Sequence, residues 1–242
     1  MITFALISLI FLIAGFIQGL SGFGSALLAM PLLTIFIDVK VAVPLCILNS
    51  LLITSYLSFK LKDYMEMKKI LPLIIGSLPG IYLGIVFLKS MESNLIKMLL
   101  GIMIILYCIY SFSSHPGPRK LHRAWAYIAG FGSGFIGTAF SAGGPPSIIY
   151  TTLTGWSKDH IKATLTGFYL VGNIIIVIAH AASGLTNTLV LKYFLASALF
   201  VISGVYLGSR VYDRTDTEGY MKIILVILML LGIMMIGSAI DN

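Results

Sequence analysis

Charged side chains are scarce in this sequence. Asp, Glu, Lys and Arg make up 10% of its 242 residues, whereas hydrophobic residues make up 58%. Soluble domains average about 25% charged residues, so a soluble protein of this length could not cover its surface. The composition therefore predicts an all-α integral membrane protein. The net charge of +7 is scattered over short loops without a continuous basic face, so the expected surrounding partner is the lipid bilayer and no nucleic acid is expected.

Cysteine and catalytic motifs are also nearly absent. The two cysteines, Cys46 and Cys108, both lie in apolar runs, so neither a disulfide framework nor a metal site is predicted. The sequence contains no H-E-x-x-H, Walker A or G-x-S-x-G motif. No enzyme activity, catalytic residue, metal or cofactor is therefore predicted. No positive residue precedes the first apolar run, which argues against a cleaved signal peptide and favours a retained first span.

Glycine, by contrast, is abundant, and it is concentrated in two matching stretches. Residues 15–33 read GFIQGLSGFGSALLAMPLL, and residues 130–148 read GFGSGFIGTAFSAGGPPSI. The two align without gaps at an offset of 115 residues. Glycines followed by proline inside an apolar segment are where a membrane helix would be interrupted, and such backbone is tolerated where it lines a cavity. We expect these two breaks to form the functional centre.

The chain divides into two similar halves. Residues 1–112 form a predicted N-terminal repeat, residues 113–123 a linker, and residues 124–242 a C-terminal repeat. Each repeat has about five hydrophobic segments in the same order, and GIYLG at 80–84 matches GVYLG at 204–208. Internal duplication of this kind is typical of transporters. The sequence leaves open whether the short segments after each break cross the bilayer or form re-entrant hairpins.

The basic residues predict how the two repeats are oriented. Loops 60–69, 113–123, 157–162 and 209–222 hold twelve lysines and arginines, and the other loops hold only four. Because cytoplasmic loops are enriched in these residues, the four loops are predicted to be cytoplasmic. The repeats then have inverted topology, and both termini lie on the non-cytoplasmic side of the cell membrane.

The breaks predict an anion site. A helix that restarts inside the membrane exposes N–H groups and the positive end of its dipole, which together attract an anion. The residues predicted to bind it lie at the breaks or are polar residues of nearby spans: Gln18, Ser21, Gly22, Gly24, Asn49, Thr138, Ser141, Gly143, Gly144 and Asn173. His180 is a candidate for proton coupling. The alternative reading of the glycines is helix packing, because several form G-x-x-x-G pairs.

These features resemble the sulfite exporter TauE/SafE family of anion transporters. The resemblance rests on G-F-x-x-G-x-x-G-x-G followed by Pro31, on GFGSGFIGTAFSAGGPP in the second half, and on the doubled layout. It implies a secondary transporter, usually an exporter, of a small sulfur-containing anion such as sulfite or an organosulfonate. Alternating access around a midplane site at the broken helices is the expected mechanism. An anion channel and a membrane scaffold or assembly subunit remain alternatives, and a homodimer is left open.

Overall fold

The protein is built from α-helices. The computed structural model describes residues 2–113, 117, 121–211 and 217–240. Within them the helices are α1 (Ile2–Ser21), α2 (Ser25–Leu33), α3 (Val39–Leu61), α4 (Met67–Ser90), α5 (Ser93–Ser113), α6 (Ala124–Phe140), α7 (Gly144–Leu153), α8 (Lys158–Ala182), α9 (Thr188–Val211) and α10 (Thr217–Ile240). A single 3₁₀ turn, Lys62–Tyr64, follows α3. Each predicted apolar segment corresponds to one helix, which confirms the all-α membrane class.

The helices differ in length in a way that locates the breaks. Among the described residues, α1, α3, α4, α5, α8 and α9 are long and apolar enough to cross a bilayer, and Ile224–Ile240 in α10 is a shorter apolar stretch. The helices that follow the two breaks, α2 and α7, have only 9 and 10 residues. At about 1.5 Å per residue they cover roughly half of a 30 Å hydrocarbon core. Neither short helix can cross the membrane alone.

Helices α1 and α9 cross through glycines. A Cβ built on Gly15 would lie 2.6 Å from the carbonyl oxygen of Val201, and one built on Gly19 would lie 2.9 Å from the backbone nitrogen of Ser209. No side chain fits at either position, so the two backbones approach closely, as in small-residue packing motifs. The contact positions advance together along both helices, so α1 and α9 run parallel.

Helices α4 and α6 form the equivalent crossing. A Cβ on Gly76 would lie 2.7 Å from the Cα of Tyr127, and one on Gly84 would lie 2.7 Å from the Cβ of Thr138. These contacts also advance together, so α4 and α6 are parallel. By position within its repeat, α4 corresponds to α9 and α6 corresponds to α1. The same glycine-mediated crossing therefore occurs twice, as the duplication predicted from the sequence requires.

Two other pairs run antiparallel. In α5 and α10, a Cβ on Gly101 would lie 2.8 Å from Gly232 O, whereas Cys108 Sγ donates to Leu225 O at 3.4 Å. The contacts therefore run in opposite directions along these two helices.

In α3 and α8, Asn173 Nδ2 donates to Ser50 Oγ at 2.9 Å. The ring of Tyr64, just beyond α3, meets that of His160 near the start of α8. Helix α3 therefore runs antiparallel to α8. The connections from α3 to α4 and from α8 to α9 are short. Helix α4 therefore runs antiparallel to α3, and α9 runs antiparallel to α8. Combined with the parallel crossings, these directions make each of α1, α3, α4 and α5 opposite to its counterpart in the second half. The two repeats are inverted.

The described parts of the basic loops lie on one face of this bundle. Lys69 Nζ lies 4.7 Å from the centroid of the Trp156 ring. This contact shows that the start of α4 and the loop before α8 are on the same face. On the opposite face, Lys40 Nζ donates to Lys89 O at 3.3 Å and Lys89 Nζ to Ser183 O at 3.0 Å. The helix directions group the loops as the charges predict. Most of the linker, residues 113–123, falls outside the described residues, so its role as a boundary stays a prediction.

Candidate functional site

The two breaks meet at one cavity. Its volume is about 60 Å³, and residues from α1, α2, α3, α4, α6, α7 and α8 line it. Ser50 and Ser77, which contribute to the wall, lie near the middle of α3 and α4. The cavity is therefore at the mid-depth of the bundle, between the inverted repeats.

Six of the ten residues predicted to bind an anion line this cavity. They are Gln18, Gly24, Ser141, Gly143, Gly144 and Asn173. All but Asn173 belong to the two breaks or to the turn just before the first. The aligned glycine stretches, 115 residues apart in the sequence, therefore come together in space.

The other four predicted residues lie outside the cavity wall. Thr138 Oγ1 donates to Gly134 O at 2.8 Å within α6, whereas Ser21 Oγ lies 2.8 Å from Ile17 O in α1 and 2.6 Å from Phe23 O in the first break. Asn49 is fully buried between α3 and α9, where its Oδ1 accepts from Ser197 Oγ at 3.1 Å. Gly22 packs against the side chain of Lys162. These residues support the elements that surround the cavity without contributing to its surface.

The first break is a turn that two glycines make possible. The φ angles of Gly22 and Gly24 are 87° and 94°, a left-handed conformation that favours glycine. The N–H of Gly22 donates to Gln18 O at 2.7 Å and ends α1. The hydroxyl of Ser25 then donates to Gln18 Oε1 and joins the two sides of the break. The chain restarts as α2 with its first residues in the cavity wall.

The second break uses different residues. Ser141, a non-glycine residue, ends α6 with a φ of 59°, a conformation that costs about 1–2 kcal/mol. Its hydroxyl oxygen is buried and has no hydrogen-bond partner among the described residues. The N–H of Ser147 in α7 donates to Ser133 Oγ in α6 at 3.0 Å and fixes the restarted helix. A strained, unpartnered serine in a cavity wall is typical of a ligand contact.

The prolines of the aligned stretches hold different places in their helices. Pro146 lies in the first turn of α7, as predicted for a helix start. Pro31 lies in the interior of α2. The gapless alignment therefore does not hold in the structure, because α6 ends at Phe140, four residues beyond the position that aligns with Ser21, the last residue of α1.

Several wall residues come from regular helices and were not predicted. Tyr169 in α8 shares a hydrogen bond of 2.8 Å with Ser147 and donates to Gly144 O at 3.4 Å. It thereby braces the start of α7. Tyr169 lies one helical turn before Asn173, so a search for polar residues on the face of Asn173 would have found it. Ser50, which accepts from Asn173, directly follows the predicted Asn49.

His180, the candidate for proton coupling, is buried near the end of α8. It is 0% exposed, and its Nε2 lies 3.2 Å from Thr138 O at the end of α6. Its Nδ1 has no partner among the described residues. His180 does not line the cavity; it joins α8 to the turn before the second break.

Lys162 is the residue whose surroundings the sequence misjudged most. We predicted it to lie in an aqueous loop, yet it is in the first turns of α8 and 6% exposed. Its Nζ donates to Gly19 O at 3.1 Å, and its aliphatic stem lies against Gly22. A positive group at the C-terminal end of α1 satisfies a free carbonyl and complements the helix dipole. Lys162 therefore secures the first break from the opposite repeat.

The chemistry of the cavity is that of a neutral hydrogen-bonding site. Its wall contains serine hydroxyls, two amides, a tyrosine and the starts of two helices, and none of its residues is charged. Over the described residues no group of three or more His, Cys, Asp or Glu side chains forms a metal site. Donors of this kind, at helix starts and in a low-dielectric interior, can bind a small anion. They hold it less tightly than a lysine or arginine side chain would.

The comparisons with known proteins give one match. The family described as sulfite exporter TauE/SafE matches residues 7–235, nearly the whole chain. Curated proteins give no match, and neither do solved structures. The family match includes both breaks and every residue of the cavity.

Proposed function

Because the chain belongs to the sulfite exporter TauE/SafE family, we propose that it is a secondary transporter that exports a small sulfur-containing oxyanion. The candidates are sulfite and organosulfonates. It would act in the cell membrane, with both termini on the non-cytoplasmic side and the four basic loops in the cytoplasm. The family already makes it a membrane transporter; the substrate, direction and mechanism are our proposal.

One observation supports this function above others. Two interrupted helices from inverted repeats contribute their first residues to one cavity at mid-depth, and that cavity has polar but uncharged walls. Broken helices at a repeat interface are the usual plan of a transporter site. Helix starts favour negative charge, so the cargo expected there is an anion.

The size of the cavity favours the smallest candidates. By this volume measure one water needs about 10–15 Å³. A cavity of about 60 Å³ therefore holds about four to six non-hydrogen atoms, by the same rule. Sulfite, with one sulfur and three oxygens, fits without rearrangement. A sulfonate with more than about six non-hydrogen atoms would exceed this volume.

Export of an anion needs no ion gradient of its own. Moving one charge across 100 mV is worth about 2.3 kcal/mol, and a negative cytoplasm drives anions outward. The described spanning helices place no Asp or Glu in the cavity wall, which fits transport driven by potential. We propose alternating access, in which the inverted repeats rock about the cavity, because inversion makes the inward-facing and outward-facing states structurally equivalent.

Counterflow in proteoliposomes tests the proposal. Vesicles preloaded with unlabelled sulfite should transiently accumulate labelled sulfite, and an imposed membrane potential should change the rate. Protein-free vesicles are the control, and sulfate, chloride and a small sulfonate serve as competitors. Single-channel currents in place of counterflow would favour an anion channel. No flux of any tested anion by folded protein would contradict the transport proposal and favour a scaffold.

A further inference from the structure

We infer that the backbone donors for the anion come from one short helix, α2, and that its counterpart α7 supplies almost none. This inference rests on the proposed function and goes further, because inverted repeats alone predict two equivalent helix starts. The difference lies in the second and third residues of each short helix.

In α2 these two residues have free N–H groups. They are Ala26 and Leu27, and both line the cavity. The first backbone hydrogen bond across the start of α2 runs from Leu28 N to Gly24 O, at 3.2 Å. Neither the N–H of Ala26 nor that of Leu27 has an acceptor among the described residues. Buried backbone N–H groups are nearly always paired, so two adjacent free ones in a cavity indicate a ligand that accepts from them.

In α7 the corresponding positions cannot donate. They are Pro145 and Pro146, and proline has no backbone N–H. The next N–H, that of Ser147, already donates to Ser133 Oγ at 3.0 Å. Beyond these three residues only Gly144 remains at the start of the helix. The second break is the clearer one in the sequence, yet the helix that follows it has the fewer free N–H donors for an anion.

Side chains independently indicate that a ligand accepts hydrogen bonds here. Ser141 is 8% exposed and lines the cavity, and its hydroxyl has no partner among the described residues. Gln18 is 3% exposed, and its Oε1 is occupied by the hydroxyl of Ser25. That contact leaves the Gln18 amide nitrogen as a donor beside the start of α2. An oxyanion with three oxygens can accept from the α2 backbone, Gln18 and Ser141 together.

The division between the helices gives each a separate role. Helix α2 holds the charge of the anion, whereas α7 contributes to the wall only through its first residue, Gly144, whose carbonyl accepts from Tyr169. Sulfite affinity should therefore depend on the backbone of α2 and be insensitive to, or improved by, changes that give α7 a donor.

Exchanging the prolines tests this inference. Ala26→Pro removes one N–H from α2, and proline is tolerated in the first turn of a helix, as α7 itself demonstrates. We expect the KM for sulfite to rise about tenfold or more, as the loss of one charge-assisted hydrogen bond predicts. Pro145→Ala gives α7 a donor and should leave the KM unchanged or lower it. If folded Ala26→Pro protein has an unchanged KM for sulfite, the inference is wrong.

A backbone ester provides a second route if Ala26→Pro fails to fold. Replacing Ala26 by its α-hydroxy acid removes the N–H and keeps the side chain. The same replacement at Ala29, one turn further into α2, is the control, because its N–H does not belong to the helix start. A higher KM for the ester at 26 alone supports the inference, and equal effects at both positions refute it. If the wild-type protein moves no sulfite, the proposed function fails; if it does and these variants behave like wild type, only this inference fails.

Discussion

Adjacent glycines at the second break should differ in how strongly they respond to the same substitution. A Cβ on Gly143 would overlap the backbone oxygen of Ser133 and lie 2.9 Å from the Cα of Gly137. Both obstacles are backbone of α6, so the start of α7 must move. A Cβ on Gly144 would meet only Ile148 Cδ1, at 3.1 Å, and the Tyr169 hydroxyl, at 3.7 Å. These are side-chain ends that can turn aside.

The expected magnitudes follow from these contacts. Overpacking against fixed backbone costs about 1–3 kcal/mol, which is the destabilisation expected for Gly143→Ala. For Gly144→Ala the neighbours are flexible side-chain ends, so the expected cost is at the low end of the same range, about 1 kcal/mol. Neither backbone has a positive φ, so left-handed strain does not complicate the comparison. Gly144→Ala should therefore destabilise the protein less than Gly143→Ala does.

Thermal unfolding in detergent and sulfite counterflow in liposomes check this prediction together. Gly143→Ala should unfold at lower temperature and transport slowly, because a displaced α7 changes the cavity wall. Gly144→Ala should unfold closer to the wild type and keep measurable transport. Equal stability of the two variants, or greater damage from Gly144→Ala, would refute the account of how α7 packs against α6.

Three further substitutions test other parts of the structure. Lys162→Met should lower stability by about 1–3 kcal/mol, since it leaves the Gly19 carbonyl unpaired, and Lys158→Met, an exposed control on the same helix, should not. Gly208→Val should prevent stable folding, because its Cβ would overlap Phe16 O, whereas Gly237→Val meets nothing within 4 Å; monodispersity after purification distinguishes them. His180→Gln should remove any response of flux to an imposed pH gradient while the response to membrane potential remains, and a preserved pH response would assign His180 to packing alone.

The fold could be predicted from the sequence to a large extent because the bilayer imposes simple rules. Apolar runs must reach about 20 residues to cross, and the charged residues between them, such as Lys89 and Glu92, end helices within a few positions. The orientation of the repeats followed from where lysine and arginine accumulate. The length of α2 did not follow, because hydropathy does not show where a glycine turn ends and a helix resumes.

The site was less predictable because it depends on rotation about helix axes and on distant contacts. Asn49 and Ser50 are neighbours in α3, yet about 100° of helical rotation places only Ser50 in the cavity wall. Lys162 is 143 positions from the Gly19 carbonyl that it binds, and its polar sequence neighbours are typical of a loop. Breaks could be located because glycine and proline act on their own backbone. Side chains that complete the site act on partners that only the fold brings near.

The duplication explains why the two breaks came to differ. At the helix crossings both repeats need small residues, because α1 must approach α9 as closely as α4 approaches α6, so the glycines there are constrained in both copies. At the breaks, the anion site that we propose needs only one set of backbone donors, those of α2. The second copy has Pro145 and Pro146 at the helix positions that Ala26 and Leu27 hold in the first. Proline fixes φ and removes donors, so it makes the second break rigid and leaves it with fewer donors for an anion. The helix crossings are therefore alike in both repeats, whereas the helix starts at the cavity differ, because the two repeats share one cavity.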